Sequence, residues 1–281
     1  MTNFNGKLHE DQTNLIAHDN RGLAYGDAVF ETIRVVAGKV YFWESHYLRL
    51  MASMRIMRME IPMDFTMEFL EQEILKTLEA GALLDKPGRV KITVYRNSGG
   101  YYRPETHTVG YFIQASELEQ PFYVLNDDPY EVDLFKDHLI SPSLLSTVKT
   151  NNKALHVLGS IFANENSLDD CLLLNTDKMV AESLIGNLFL VKGKKIKTPP
   201  LSDGPLRGVT RKQLIEIIGQ DQDYELQEAS ISPFELQKAD ELFTTNVIKG
   251  IVSITKYRKK QYTNEVAKTL IGKLNARARL G

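Results

Sequence analysis

The fold of the first part of this chain is decided by residues 25–43, which read YGDAVFETIRVVAGKVYFW. Residues 30–36 of this stretch are rich in β-branched and aromatic side chains, which favour an extended strand. Residues 37–39 read AGK and supply a turn, and an apolar run resumes at Val40. Two extended runs separated by a short turn predict a β-hairpin.

Helices are predicted on the C-terminal side of the hairpin. In residues 44–59 apolar side chains recur every three or four positions, which is typical of an amphipathic helix. A second helix is predicted over residues 65–84, and the KPG sequence at 86–88 ends it. Residues 89–95 and 108–114 alternate like paired strands around a polar loop. The first part of the chain is therefore expected to be α+β.

A linker is predicted at residues 116–121, SELEQP, which are charged and end in a proline. It separates an N-terminal α+β domain, residues 1–117, from a C-terminal domain, residues 122–281. The elements predicted in the second domain are a helix over residues 151–166, strands over 172–174, 187–191 and 195–198, and a helix over 208–219.

Composition excludes several classes of protein. The 281 residues carry 34 Lys and Arg against 36 Asp and Glu, so the chain lacks the basic excess of a general nucleic-acid binder. The single cysteine, Cys171, cannot form an intrachain disulfide, which favours a reducing compartment. The N-terminus has no signal-peptide pattern, and no run approaches the about 18 apolar residues of a membrane span. We expect a soluble, cytoplasmic protein.

Common catalytic motifs are absent from the sequence. It contains no glycine-rich phosphate loop, no HExxH or CxxC motif and no GxSxG turn. The six histidines lack metal-ligand spacing, so no metal site is expected. Cys171 stands between acidic and apolar neighbours, which raise the pKa of a thiol and disfavour a nucleophile.

Four segments in a fixed order carry a specific signal. They are YGDAVFET at residues 25–32, ESHYLRL at 44–50, VKTNN at 148–152 with AESLIGNLF at 181–189, and GVTR at 208–211. In this order they resemble the class IV aminotransferase family, the pyridoxal-phosphate enzymes of fold type IV. The resemblance spans most of the chain. It implies a two-domain α+β fold, with a small N-terminal domain, a larger C-terminal domain built around a barrel-like sheet, and pyridoxal 5'-phosphate as the cofactor.

The resemblance assigns two residues to the reactive part of the cofactor. Lys149 is the Schiff-base lysine, and such an amine also serves as a general base at the substrate Cα. Lys153, one predicted helical turn later, is the competing candidate. Glu182, 33 positions after Lys149, matches the carboxylate that pairs with the pyridine nitrogen and keeps it protonated.

The resemblance also assigns the cofactor phosphate. Arg49 matches the phosphate arginine, and a guanidinium can bind two phosphate oxygens. Val209 and Thr210 stand at a predicted helix start, where unsatisfied N–H groups and the helix dipole favour an anion. Thr210 alone is equally compatible with a helix cap. Asn246 matches the last loop on the phosphate side.

Substrate contacts are implied for a second set of residues. Arg96 resembles a carboxylate-binding arginine on a loop that reaches the partner subunit's site, and Arg103 is the alternative. Phe30 matches an aromatic residue near the cofactor ring. Tyr25, Glu31 and His46 are candidates for the pocket or its support. The resemblance thus implies a homodimer that acts on a small amino-acid-like substrate.

Two reactions of the family compete for this chain. The RNSGG sequence at 96–100, the 33-residue interval from Lys149 to Glu182 and the segment at 246–248 favour 4-amino-4-deoxychorismate lyase, which releases pyruvate and forms the 4-aminobenzoate of folate synthesis. Glu31 and the GVTR segment favour a branched-chain or D-amino-acid aminotransferase. The sequence prefers the lyase. A relative that binds the cofactor without turnover is a third alternative.

Overall fold

The computed structural model describes residues 1–280, which form two compact units. Unit 1 comprises Met1–Pro121 and Lys149–Asn152, and unit 2 comprises Phe122–Val148 and the chain from Lys153 onward. The predicted domains differ from these units in two places. Residues 118–121 belong to unit 1, and so does Lys149–Asn152, because its backbone is hydrogen-bonded to the main chain of that unit. The predicted domain boundary itself stays a prediction.

Unit 1 is built on one antiparallel sheet with the strand order β2-β1-β6-β5-β3-β4. Its strands are β1 (Thr2–Phe4), β2 (Lys7–His9), β3 (Ala28–Val36), β4 (Lys39–Val40), β5 (Gly88–Arg96) and β6 (Val109–Glu117). The predicted hairpin is present as β3 and β4. Its two turn residues, Ala37 and Gly38, have φ of 48° and 73°, which suits the twist of the flanking strands. The predicted linker begins too early, because β6 continues to Glu117.

Three helices accompany this sheet: α1 (Arg21–Ala24), α2 (Trp43–Ile56) and α3 (Met67–Ala80). The last two are the helices predicted from periodicity, and both end earlier than expected. In α3 the side chains of Leu70, Ile74 and Leu78 are fully buried at four-residue spacing, so one face is apolar. The hydroxyl of Thr66 caps α3 by accepting the Phe69 N–H at 3.1 Å.

Unit 2 contains two five-stranded sheets, with the orders β12-β11-β10-β13-β14 and β16-β15-β7-β8-β9. The strands are β7 (Glu131–Ile140), β8 (Asp170–Asn175), β9 (Val180–Ser183), β10 (Asn187–Lys192), β11 (Lys195–Thr198), β12 (Glu225–Glu228), β13 (Glu241–Asn246), β14 (Gly250–Ile254), β15 (Lys256–Tyr257) and β16 (Lys260–Gln261).

The core of unit 2 follows from the two-residue period of a strand. Along β8, Leu172 and Leu174 join the cluster that contains Leu188 of β10. The alternate residues, Cys171 and Leu173, join a second cluster. Every residue of β8 is therefore buried, which explains the continuous apolar run in its sequence.

The helices of unit 2 are α4 (Ala154–Glu165), α5 (Val209–Gly219), α6 (Pro233–Leu236) and α7 (Glu265–Leu280), with 3₁₀ turns at Leu145–Thr147 and Leu201–Asp203. The predicted helix over residues 151–166 begins three residues too early. Thr150 instead forms a β-bridge with Val29 of unit 1. Within residues 1–280 no helix is both long and apolar enough to cross a membrane.

Candidate active site

Lys149 lies on a short extended segment that is hydrogen-bonded to β3. The N–H of Phe30 donates to the Lys149 carbonyl at 2.9 Å, and the N–H of Asn151 donates to the Ala28 carbonyl at 3.0 Å. The Nζ atom of Lys149 lies 4.6 Å from the centroid of the Phe30 ring. Backbone bonds on both sides thus fix the position of this lysine in unit 1.

Lys153 is not placed as the sequence suggested. It is the N-cap of α4 with φ of −119°, and no helical turn separates it from Lys149. The competing lysine therefore belongs to unit 2, whereas Lys149 belongs to unit 1.

Glu31 forms a buried charged cluster with His46 and Arg49 in unit 1. Its Oε1 accepts from Arg49 Nε at 2.7 Å, and its Oε2 accepts from Arg49 Nη2 at 2.5 Å. His46 Nδ1 lies 2.6 Å from Oε2. Burial by itself raises the pKa of Glu31, but the charge and hydrogen bonds of Arg49, with the bond from His46, lower it to about 2. Arg49 is therefore oriented by a bidentate contact with an anion.

His46 is held in its neutral form. Burial lowers its pKa more than the bond and charge of Glu31 raise it, and the charges of Arg49 and Lys149 lower it further. Since ionised Glu31 can only accept, Nδ1 carries the ring proton. Among residues 1–280, His46 Nε2 is buried and has no hydrogen-bond partner. The Nε2 atom of His46 is thus a buried hydrogen-bond acceptor close to Glu31, and the charge of Lys149 acts on the same ring.

Glu182 lies on β9 of unit 2 and is 5% exposed. Its Oε2 accepts the N–H of Leu206 at 2.8 Å, and its Oε1 lies 3.6 Å from His156 Nε2. This burial rules out a solvated residue at a strand edge. A buried carboxylate fits the protonated nitrogen of a pyridine ring.

The start of α5 is built to receive an anion. Its N-cap is Gly208, which offers no side-chain cap, so the first N–H groups of the helix are not satisfied by one. A Cβ on Gly208 would lie 2.0 Å from Asn187 Oδ1, so a larger residue there would displace the side chain of Asn187. Within the described chain, the Thr210 hydroxyl is buried without a hydrogen-bond partner. The donor set of Val209 and Thr210 therefore fits a phosphate.

Next to the predicted phosphate residue Asn246, the structure places the buried hydroxyl of Thr245. Asn246 Oδ1 accepts the N–H groups of Ile248 and Lys249 at 3.0 and 2.9 Å, so its side chain holds the turn after β13. The hydroxyl of Thr245 is buried and unpartnered within residues 1–280. Thr245 pairs in register with Asn187, the residue in contact with the cap of α5. The sequence signal was the FTTN stretch, but one residue decides which side chain points inward.

Arg96 is placed differently from the prediction. It is 4% exposed, and it donates to Asp27 Oδ2 at 2.8 Å, to the Arg58 carbonyl at 3.0 Å and to the Met57 carbonyl at 2.7 Å. These bonds tie the end of β5 to the segment after α2, and they disfavour binding of a substrate carboxylate. Arg103, on the loop that follows, is exposed.

Comparisons with known proteins agree on one family. A family model described as amino-transferase class IV matches residues 28–257. The putative branched-chain-amino-acid aminotransferase of Methanocaldococcus jannaschii is 29% identical over 251 residues, which are 89% of this chain and 85% of the relative. The aminodeoxychorismate lyase of Vibrio harveyi is 26% identical over 238 residues, which are 84% of this chain and 85% of that protein.

Solved structures share the fold. The branched-chain aminotransferase of Thermoproteus uzoniensis, solved with norvaline, superimposes with a TM-score of 0.88 at 23% identity and covers 97% of this chain and 92% of its own. This similarity confirms the expected α+β fold of type IV.

Proposed function

Because this chain belongs to the class IV aminotransferase family, and is therefore an aminotransferase or lyase that uses pyridoxal phosphate, we propose that it transfers the amino group of an amino acid to a 2-oxo acid. The observation that carries the proposal is the buried cluster of Glu31, His46 and Arg49. Glu31 is the residue that resembles the aminotransferases. Its burial and bidentate bond to the phosphate candidate Arg49 make it part of the site's framework.

Lys149 performs the proton transfer in this proposal. When bound, pyridoxal phosphate supplies an aldehyde that condenses with amines and a ring that takes up electrons from the substrate Cα. With the cofactor held at this site, the Nζ amine of Lys149 would be the base that takes the proton from the substrate Cα. The hydrogen bonds to β3 hold the main chain of this lysine in place.

Glu182 would hold the ring nitrogen of the cofactor in its protonated form. A carboxylate opposite that nitrogen favours the pyridinium, and the Leu206 N–H orients the carboxylate. The residues that would hold the phosphate are the N–H groups at the start of α5 with the hydroxyls of Thr210 and Thr245, and, by the resemblance, Arg49. These residues supply positive partial charge and donors to a dianion.

Substrate recognition is assigned to Phe30 and Arg103. Phe30 is half-buried beside Lys149 and provides an apolar wall. Arg103 is the better carboxylate ligand, since the N–H donors of Arg96 are engaged by backbone and Asp27. We assign the active form to a homodimer in which the loop containing Arg103 reaches the partner subunit's site.

A second candidate is 4-amino-4-deoxychorismate lyase. The 33-residue interval between Lys149 and Glu182 favours it, and so does the similarity to the Vibrio harveyi lyase. Two of the three sequence features that favour the lyase are weakened by the contacts of their residues. Asn246 holds the turn after β13, and Arg96 bonds to Asp27 and to the segment after α2. The lyase therefore ranks below the aminotransferase.

A parallel substrate assay separates the two functions. The loaded enzyme is incubated with leucine or D-alanine plus 2-oxoglutarate, and separately with aminodeoxychorismate. We expect glutamate from one of the amino acids and no 4-aminobenzoate. Release of pyruvate with 4-aminobenzoate, without amino exchange, would establish the lyase instead. The variant Lys149→Ala serves as the inactive control in both arms.

A further inference from the structure

Arg21 is a buried arginine that the proposed chemistry does not use. It begins α1 and is 3% exposed. Its Nε donates to Asp27 Oδ2 at 2.9 Å. Its Nη1 faces three consecutive carbonyl oxygens, those of Gly99, Gly100 and Tyr101, at 3.1, 3.3 and 2.6 Å. A buried guanidinium is tolerated only where its donors are satisfied, so these contacts hold the loop in one conformation.

The loop at residues 98–106, here called the arm, is a tight reversal. Gly99 and Gly100 have φ of 124° and 71°, where side chains are strained. A Cβ on Gly100 would lie 2.3 Å from the carbonyl oxygen of Arg103. A β-bridge joins Gly100 to Pro104. The turned backbone brings its carbonyls together onto Arg21.

The base and the tip of the arm share one carboxylate. Asp27 Oδ2 accepts from Arg21 at 2.9 Å and from Arg96 at 2.8 Å. Arg96 ends β5, which leads into the arm, whereas Arg21 contacts the carbonyls of Gly99, Gly100 and Tyr101 within the arm. Asp27 therefore couples the two arginines that fix the arm.

The fixed backbone displays two large aromatic side chains and an arginine to solvent. Tyr101 and Tyr102 are 84% and 91% exposed, and Arg103 beside them is also exposed. The Tyr102 ring lies 5.7 Å from the ring of Tyr25, which in turn packs 4.9 Å from the Arg21 guanidinium carbon. Tyrosine and arginine are the residues enriched at recognition surfaces.

We propose that Arg21 is a positioning residue for the reaction, which pre-orders the arm so that Tyr101, Tyr102 and Arg103 meet the carboxylate and body of the substrate. The inference rests on the proposed function, in which the arm reaches a substrate. Without the contacts of Arg21, substrate binding must first order the glycine-containing arm, and this cost reduces the affinity for substrate.

The first test measures the order of the arm without any substrate. Chymotrypsin cleaves after exposed tyrosines, and mass spectrometry reads cleavage after Tyr101 and Tyr102. In Arg21→Gln we expect cleavage at these sites to be about tenfold faster than in the wild type, because several bonds to a charged donor are lost. Arg21→Lys is expected to be intermediate, since an ammonium lacks the fork of donors. Arg55→Gln, an exposed arginine on α2, is the matched control and should match the wild type.

The second test separates a positioning role from a merely structural one. In Arg21→Gln we expect the KM for the amino acid to rise about tenfold, with kcat little changed and the visible absorbance of the bound cofactor unchanged. Arg103→Ala, an exposed change, should raise KM similarly. The double variant should be no worse than the stronger single variant, because both changes act through the same contact.

Each outcome decides the proposal. Unchanged cleavage at Tyr101 and Tyr102 in both Arg21 variants overturns it, and so does faster cleavage with an unchanged KM. If Arg21→Gln does not fold, the Arg21→Lys and Arg103→Ala variants give the same decision. A wild-type protein that binds no pyridoxal phosphate overturns the proposed function and the positioning role with it. A failure of the positioning role alone is recognised by normal wild-type turnover.

Discussion

Arg49 and Glu31 form a bidentate ion pair in unit 1, with Nε to Oε1 at 2.7 Å and Nη2 to Oε2 at 2.5 Å, and both side chains are at least nine-tenths buried. An arginine assigned to the cofactor phosphate is thus oriented before the phosphate arrives. Removal of one partner from such a pair leaves an uncompensated buried charge.

The change Glu31→Gln is therefore expected to weaken both the fold and cofactor binding. We predict a loss of about 3 kcal/mol in the free energy of unfolding at pH 7, with weaker binding of pyridoxal phosphate. Urea denaturation of the apoprotein and fluorescence titration with the cofactor measure the two effects. The exposed pair Lys86–Glu117 supplies the control, and Glu117→Gln should cost less than about 1 kcal/mol. Equal costs for the two variants would contradict the assigned role of Glu31.

The same pair predicts acid sensitivity. The pKa of Glu31 is about 2 in the folded protein against an ordinary value of 4.5, so the unfolded state binds more protons between these values. The stabilisation by Glu31 is complete above pH 4.5 and is lost as the pH falls toward 2. Unfolding measured from pH 6 to pH 3 should show the wild type losing stability faster than Glu31→Gln. Parallel pH profiles for the two proteins would contradict this prediction.

Asp170 in β8 predicts the opposite pH dependence. Burial raises the pKa of this carboxyl from 3.8 to about 6, although N–H groups of Cys171 and Leu184 donate to it. The folded state binds more protons between these values, so the stabilisation is present at pH 4 and is lost as the pH rises through 6. Asp170→Asn should gain stability relative to the wild type between pH 4 and pH 7, on the order of 2 kcal/mol.

Urea denaturation at pH 4, 5, 6 and 7 checks this difference. Asp137→Asn, which changes an exposed aspartate of β7, is the matched control for the loss of one carboxylate. A constant difference between Asp170→Asn and the wild type would show that Asp170 does not titrate in this range.

Adjacent threonines of β13 give a sharp test of the phosphate site. The hydroxyls of Thr244 and Thr245 are both buried and unpartnered within residues 1–280, but successive side chains of a strand point to opposite faces. Thr245→Val should weaken binding of pyridoxal phosphate about tenfold through the lost hydrogen bond to a charged group, without destabilising the apoprotein. Thr244→Val should leave the affinity unchanged.

Titration of each apoprotein with the cofactor gives the affinities, and urea denaturation gives the stabilities. Thr210→Val is expected to behave like Thr245→Val. Equal effects of the two β13 variants on cofactor affinity would exclude a specific phosphate contact for Thr245.

Much of the fold follows from local patterns in the sequence. The hairpin of β3 and β4 and the helices α2, α3 and α5 were predicted because their periodicity and turn residues act within a few positions. The start of α4 was wrong, because Thr150 pairs with Val29, more than a hundred residues away. A long-range backbone contact of this kind leaves no local signal.

The site was predictable to the level of segments, and single residues were harder. The resemblance implies Asn246, whereas the buried hydroxyl without a partner within residues 1–280 belongs to its neighbour Thr245, and the facing of a strand changes with a single position of register. The partners of Arg96 come from the segment after α2 and from Asp27, and the role of Arg21 depends on carbonyls nearly eighty residues later. The roles of Lys149 and Glu182 stay predictions.

The central claim is that the Nζ amine of Lys149 forms the covalent Schiff base with pyridoxal phosphate. The most direct measurement reduces the protein loaded with pyridoxal phosphate with borohydride, digests it and locates the phosphopyridoxyl mass by peptide sequencing. We predict that the label lies on Lys149, that Lys149→Ala abolishes it, and that Lys153→Ala retains it. A label on Lys153, or the absence of any label from protein that has been incubated with the cofactor, would contradict the account.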